Sequence, residues 1–407
     1  MPTFSLHDAL MSGFAMFSLK DPSLLAFSYR RNDANMKQLF GIGQIPSDTQ
    51  MREILDPVQP ELLRPVFNDV LRELQRGKGL EPFAFHEGHY LLSVDGTGYF
   101  SSKKIHCASC LQKVNKKTGE ITYQHQMLGA AIVHPDQKAV IPLAPEPIQK
   151  LDGETKNDCE RNASKRLLTQ IRREHPKMKF IVLEDGLASN GPHIRLLNEL
   201  SMSFILGAKP GDHPYLYEKI CSGFEENRVT SFKWMNGNVE CHISFLNDVP
   251  LNEANQDLLV NFLMYSEYGP DGKTLKEFAW VTDQPITRAN AATFVHAGRS
   301  RWKIENETFN TLKNQDYHFE HNYGHGNENL SVVFALLMML AFLVDQVQQL
   351  CCPLFSQVWR KLRTKRGLWD NLRSHFRHFK FQSMRELYEA ILYDRGKEVP
   401  LPPYDTS

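Results

Sequence analysis

The sequence predicts an α/β protein: a mixed-sheet core interrupted by an antiparallel β insertion, preceded by helices and followed by a basic helical region. Three observations carry this. Two apolar runs, YLLSVDG (90–96) and KFIVLED (179–185), each end on an aspartate, as buried strands delivering a carboxylate to a sheet edge would. A charged run with helical spacing, 157–175, lies between them. Asn236-Gly237 and Gly269-Pro270-Asp271-Gly272 each separate alternating runs, the pattern of hairpins.

The chain is long enough, at 407 residues, for two or three domains and a sizeable core. Lys plus Arg equals Asp plus Glu, 47 each, so any basic surface has to be local. The N-terminal stretch has no basic leader or small-residue cleavage site, so no signal peptide is expected. The longest apolar run, Leu330 to Val344, is interrupted by Asp345 and reads as a buried helix packed on the sheet, not a membrane span. Seven cysteines, an odd number, suggest free thiols in a reducing compartment, hence a cytoplasmic location.

Residues 1–88 read as short helices, with apolar spacing in Leu6–Phe17 and Glu61–Leu74 and a cap at Ser47-Asp48-Thr49. A helical domain in this place suggests DNA contact. The core begins at residue 89, with the strand that ends at Asp95. Strand candidates Tyr123–Val133 and Ala139–Leu143 follow, then the helix 157–175 with Asp158 and Glu160 in its first turn, where the helix dipole favours acids. Next come the strand ending at Asp185, a helix opened by Asn190 and Pro192, and the strand Phe204-Ile205-Leu206, ending near Lys209. Strand, strand, strand, helix, strand, helix, strand is the order of a ribonuclease-H-like core, 89–212 here. The β insertion spans 213–287 and the final core helices 288–355.

Those final helices contain Arg299–Lys313, RSRWKIENETFNTLK, expected as one helix of about four turns. Arg301 and Glu305 share a face, and Lys313 borders it two turns on. Arg301-Trp302-Lys303-Ile304-Glu305 with a following lysine resembles the signature helix of bacterial insertion-sequence DDE transposases, cut-and-paste enzymes with a ribonuclease-H-like core and a β-stranded insertion before the final Glu. The family motif has Tyr three residues before the Arg and Lys seven after the Glu; this chain has Gly298 and Leu312 there, with Lys313 one further on.

The resemblance implies a catalytic triad of Asp95, Asp185 and Glu305. Phosphodiester transfer without a covalent intermediate needs two hard divalent cations, Mg2+ or Mn2+, and carboxylates converging from separate elements suit them. Asp95 would bridge two ions, with Asp185 and Glu305 holding one each. Glu184 and Glu307 point elsewhere by strand and helix geometry. Arg301, Trp302, Lys313 and Lys209 are expected to meet DNA.

The C-terminal region, 356–407, adds Arg360, Lys361, Arg363, Lys365 and Arg366 to the DNA-contacting set, with Trp369, Phe376 and Phe379 interleaved as stacking candidates. Cys107 and Cys110 form a lone CxxC, read as buried thiols in preference to a structural zinc, and His318, His321 and His325 as a polar loop beside the active site. The expected partners are double-stranded DNA, as transposon ends and target, and a second copy of the chain, with no membrane. The enzyme alternative is a metal-dependent nuclease or resolvase that cuts without joining strands.

Overall fold

Strand β1 (Tyr90–Ser102) lies where the two halves of the core meet, and its neighbours show why. On one side it pairs antiparallel with β3 (Ile121–Val133), which also pairs with β2 (Leu111–Val114), β4 (Ile141–Pro142) and β5 (Glu146–Ile148). On the other it runs parallel to β6 (Phe180–Glu184), which runs parallel to β7 (Ser203–Gly207). All five residues of β6 are buried, as expected of a strand covered on both faces. In this computed structural model, which describes residues 4–150 and 159–393, the elements form a mixed α/β fold.

The insertion continues the same sheet. β8 (Thr230–Asn236), β9 (Val239–Asn252), β10 (Asn255–Tyr268) and β11 (Thr274–Thr282) form an antiparallel meander, and β11 pairs with β7. The sheet order is therefore β2-β3-β1-β6-β7-β11-β10-β9-β8. Both predicted hairpins are present. Gly237, at φ +59°, takes the left-handed conformation that the turn between β8 and β9 needs.

Glu160–Glu174 and Gly191–Glu199 supply the helices that cross between parallel strands. The predicted start of the first, at 157 and 158, lies outside the described residues. Asn190 caps the second by accepting from the His193 backbone N–H at 3.1 Å. Among the N-terminal helices, Ser47 and Gln50 close a capping box on Asp48–Leu55. The region read as Glu61–Leu74 is a 3-10 turn, Pro60–Leu63, followed by a helix, Arg64–Arg76.

The apolar helix does not stop at Val344. It runs Leu330–Cys351, because Asp345 is buried and paired with Lys20 and Tyr317 rather than turned to solvent. The helix is 22 residues long and its most apolar 18-residue stretch has a mean hydropathy of 2.3, enough for a membrane-crossing segment, but 83% of that stretch is buried inside the protein. It packs on the N-terminal helices as well as on β4. The Cβ of an alanine at Gly13, for example, would stand 2.8 Å from Leu337.

The C-terminal helices Pro353–Leu362, Lys365–His378 and Met384–Tyr393 close this layer. Asn35 donates to the carbonyls of Phe376 and Phe379 at 2.8 and 2.7 Å, and Arg373 donates to those of Leu19 and Lys20. The aromatics of this region are therefore not stacking candidates as expected. Trp369 and Phe376 are core residues, 3% and 0% exposed, and Phe379 is half-buried. An amphipathic helix shows two faces in sequence, and here the aromatic face is the covered one.

Candidate active site

Parallel register brings the two aspartates together. Ser93 on β1 pairs with Leu183 on β6, so two residues later Asp95 stands level with Asp185. Asp185 lies just past the end of β6, but β1 does not end at Asp95 as expected, because pairing with β3 carries it on to Ser102. Neighbouring strands lie about 4.8 Å apart, which sets the scale of their separation. Asp95 is half-buried and accepts from the Gly96 N–H at 2.9 Å. Asp185 is exposed and caps the short turn Gly186–Ala188, accepting from the Leu187 N–H at 2.9 Å.

A third carboxylate joins them from an unexpected place. Glu160, first residue of the helix Glu160–Glu174, lines the same cleft, a space of about 400 Å³. Gly96 makes room for it: a Cβ there would stand 2.4 Å from Glu160 Oε1. Burial pushes the Asp95 carboxyl upward; Arg301 opposes that shift and Asp185 adds to it. Glu160 is pushed up by burial, then by Asp95 and Asp185. Sequence reasoning missed Glu160 because an acid in a first helical turn already has an ordinary explanation.

Glu184, next to Asp185, lines the same cleft, but its carboxylate already has partners there. Buried at 7% exposure, it accepts from Ser164 at 3.0 Å and pairs with His193.

The RWKIE stretch docks on β1. Ser93 donates to the Arg301 carbonyl at 2.8 Å, and Lys303, itself buried, donates to the carbonyls of Pro135 and Gln137. Gly129, paired with Asp95 across β1 and β3, receives the Phe309 ring, which would lie 2.8 Å from a Cβ. The stretch is not the uniform helix expected. The path is α over Ala291–Arg299, 3-10 over Ser300–Trp302, π over Ile304–Phe309 and α again over Asn310–Asn314. Single π turns are frequent at functional sites. At Gly298, where the family motif has Tyr, a Cβ would lie 2.6 Å from the Trp280 ring, so the packing excludes a larger residue.

Arg301 donates to Asp95 Oδ2 at 3.0 Å, so the structure gives it a carboxylate partner inside the cleft. The Glu305 side chain is exposed and, among the described residues, makes no hydrogen bond or ion pair. Trp302 is 43% exposed. Lys313 pairs with Glu320 at 3.1 Å, and Lys209 is exposed beyond β7. In the C-terminal region Arg360, Arg363 and Arg366 are exposed, the last 3.8 Å from Asp316. Lys361 instead donates to the last carbonyls of the final helix, Ile391 and Leu392, at 3.0 Å each. Lys365 is half-buried over the Trp359 ring, and burial lowers its pKa.

Magnesium prefers hard oxygen donors, and Asp95, Asp185 and Glu160 offer carboxylates only. The upward pressure on Asp95 and Glu160 is what a nearby divalent cation would relieve. Donor type and charge therefore fit such a cation. The oxygens are not drawn into a closed shell: among the described residues one group of three or more His, Cys, Asp or Glu side chains has its ligand atoms within 4.8 Å of one another, and it lies outside this cleft. No protein-family model matches the chain, and no curated protein matches it.

Proposed function

We propose that this protein is a DDE-type DNA transposase that cuts at transposon ends and joins them to target DNA, acting as a pair of copies on two ends. The observation that carries the reading is the level placement of Asp95, within β1, and Asp185, just past the end of the parallel neighbour β6, with Arg301 of the RWKIE stretch bonded to Asp95. The order β3-β1-β6-β7, antiparallel then parallel, agrees with a ribonuclease-H-like core, and the meander β8–β11 falls between the second aspartate and Glu305.

Asp95, Asp185 and Glu305 would hold the metal, with Glu160 beside them. When bound, two magnesium ions supply an activated nucleophilic oxygen and stabilise the leaving oxygen. The chain's own groups bind and orient the strand. Arg301 offers a planar fork to a phosphate, Lys313 a point charge, and Trp302 an exposed ring beside them. Arg360, Arg363 and Arg366 extend the cationic surface.

The test is cleavage of a duplex carrying the element's own terminus and flank, with Mg2+ or Mn2+, followed by joining of pre-cut ends. Cutting at the terminus and joining are expected, and Asp95→Asn, Asp185→Asn and Glu305→Gln should each abolish both. Cutting without joining would give the nuclease reading. Cutting that survives all three substitutions would refute both.

A further inference from the structure

Two buried histidines and a CxxC pair meet at one point away from the carboxylate cleft. Cys107 and Cys110 sit in the loop between β1 and β2, His125 on β3, and His325 in the loop between the Glu305 segment and the long apolar helix. Cys110, His125 and His325 are 0%, 1% and 7% exposed, and Cys107 is half-buried. The reading of His325 as part of a polar loop beside the active site is thereby corrected: its ring is buried against Cys110. His106 and Cys159, from the same sequence neighbourhoods, are not part of the group.

Four of the six ligand spacings match a tetrahedron. The two sulfurs are 3.8 Å apart, His125 Nε2 is 3.4 Å from Cys107 Sγ and 3.5 Å from Cys110 Sγ, and His325 Nε2 is 3.3 Å from Cys110 Sγ. Zinc bonds of about 2.3 Å to sulfur and about 2.0–2.1 Å to nitrogen place tetrahedral ligands about 3.8 Å apart for two sulfurs and about 3.5 Å for sulfur and nitrogen. All four ligand atoms fall within 4.8 Å of one another, which suits one ion rather than a cluster.

We propose that Cys107, Cys110, His125 and His325 bind a single structural zinc ion. Four protein ligands close the shell, so the site leaves no position for a substrate. Tyr99 stacks on His125 and Phe100 lies 4.4 Å from His325, giving the apolar wall that keeps water out. The Nδ1 atoms of both histidines have no partner among the described residues, so sulfur contacts are the only polar use these imidazoles have. Three buried polar groups and a half-buried thiol gathered without an ion would be a net cost. The ion would bridge Cys110 to His325 across 215 residues, tying the loop that follows Glu305 to the strands that carry Asp95.

The experiment is elemental analysis of untagged protein purified with zinc in the growth medium, then cobalt substitution. About one zinc per chain is expected, with little iron, and a visible cobalt spectrum of tetrahedral thiolate type. Cys107→Ser/Cys110→Ser should lower zinc content at least about tenfold, and His321→Ala should leave it unchanged. Should the double variant misfold, the parent alone decides: a chelator that strips its zinc should lower its melting temperature. A folded parent that holds no zinc overturns the proposal, as does one whose two cysteines form a disulfide. Zinc content does not depend on DNA cleavage, so this result and that of the transposase test are separate.

Discussion

Asp185→Asn and Glu184→Gln, at neighbouring positions, should have opposite effects. Asparagine keeps the oxygen that accepts from the Leu187 N–H, so the cap on Gly186–Ala188 survives at a cost of a few tenths of a kcal/mol. Removing the charge relieves repulsion with half-buried Asp95 on the adjacent strand and with Glu160 at the helix start; across a solvent-open cleft that is about 1 kcal/mol. The net is a melting temperature without metal equal to the parent's or higher by roughly 1–2 °C. Glu184 is the reverse case. Its buried carboxylate serves Ser164 and His193, and a charge-assisted bond of this kind contributes roughly 2 kcal/mol. Glu184→Gln should therefore melt lower by about 2–4 °C while keeping most cleavage. Cleavage by Asp185→Asn should fall by several orders of magnitude, with near-parental DNA binding and a smaller rise in melting temperature on adding magnesium. Calorimetry with and without metal, and cleavage of one end-containing duplex, measure all of this. Equal loss of activity in both variants, or unfolding of Asp185→Asn, would refute the reasoning.

Four further predictions come from the same structure. Glu160→Gln should reduce cleavage at least about tenfold with the fold intact, and Gly96→Ala, which pushes the Glu160 carboxylate aside, should reduce it too; parental activity in both would remove Glu160 from the site. Because the folded-state pKa of Glu160 is raised, its stabilising contribution is complete below the unfolded value and lost as pH rises through the folded one, so the melting temperature of Glu160→Gln relative to the parent should increase from acid to neutral pH without metal. Arg301→Ala and Lys313→Ala should each flatten the salt dependence of DNA binding by about one unit; an unchanged slope would make them structural partners of Asp95 and Glu320 only. Lys20→Ala should destabilise by about 3–5 kcal/mol because it leaves the buried Asp345 charge with Tyr317 but without its cation, whereas Lys20→Met with Asp345→Leu should recover most of that in denaturant titrations.

What was legible in the sequence was local. Strands β1, β6 and β7, both hairpins, the Ser47 cap and the Asn190 cap follow from alternation, apolar runs and turn residues a few positions apart. So did the pairing of Asp95 with Asp185, since each ends an apolar run. What was hidden depends on distant partners. Asp345 looks like a helix stop until Lys20, 325 residues away, is placed beside it. His325 looks like a surface histidine until it meets Cys110. Glu160 looks like a dipole partner until Gly96 opens the space next to Asp95. The pitch changes in the RWKIE stretch follow from its packing on β1 and Gly129, which its own spacing does not encode.

The bond between Arg301 and Asp95 has a thermodynamic consequence. A single carboxylate oxygen cannot fully satisfy a guanidinium and a divalent cation at once, and Arg301 cannot grip a phosphate while it serves Asp95. Under the proposed function, cation binding at Asp95 and phosphate binding at Arg301 each remove the same competitor from the other. Linkage then requires reciprocity: whatever factor magnesium adds to the affinity for DNA, DNA adds to the affinity for magnesium. The free protein would hold metal weakly, and its metal site would be completed on the DNA it is about to cut.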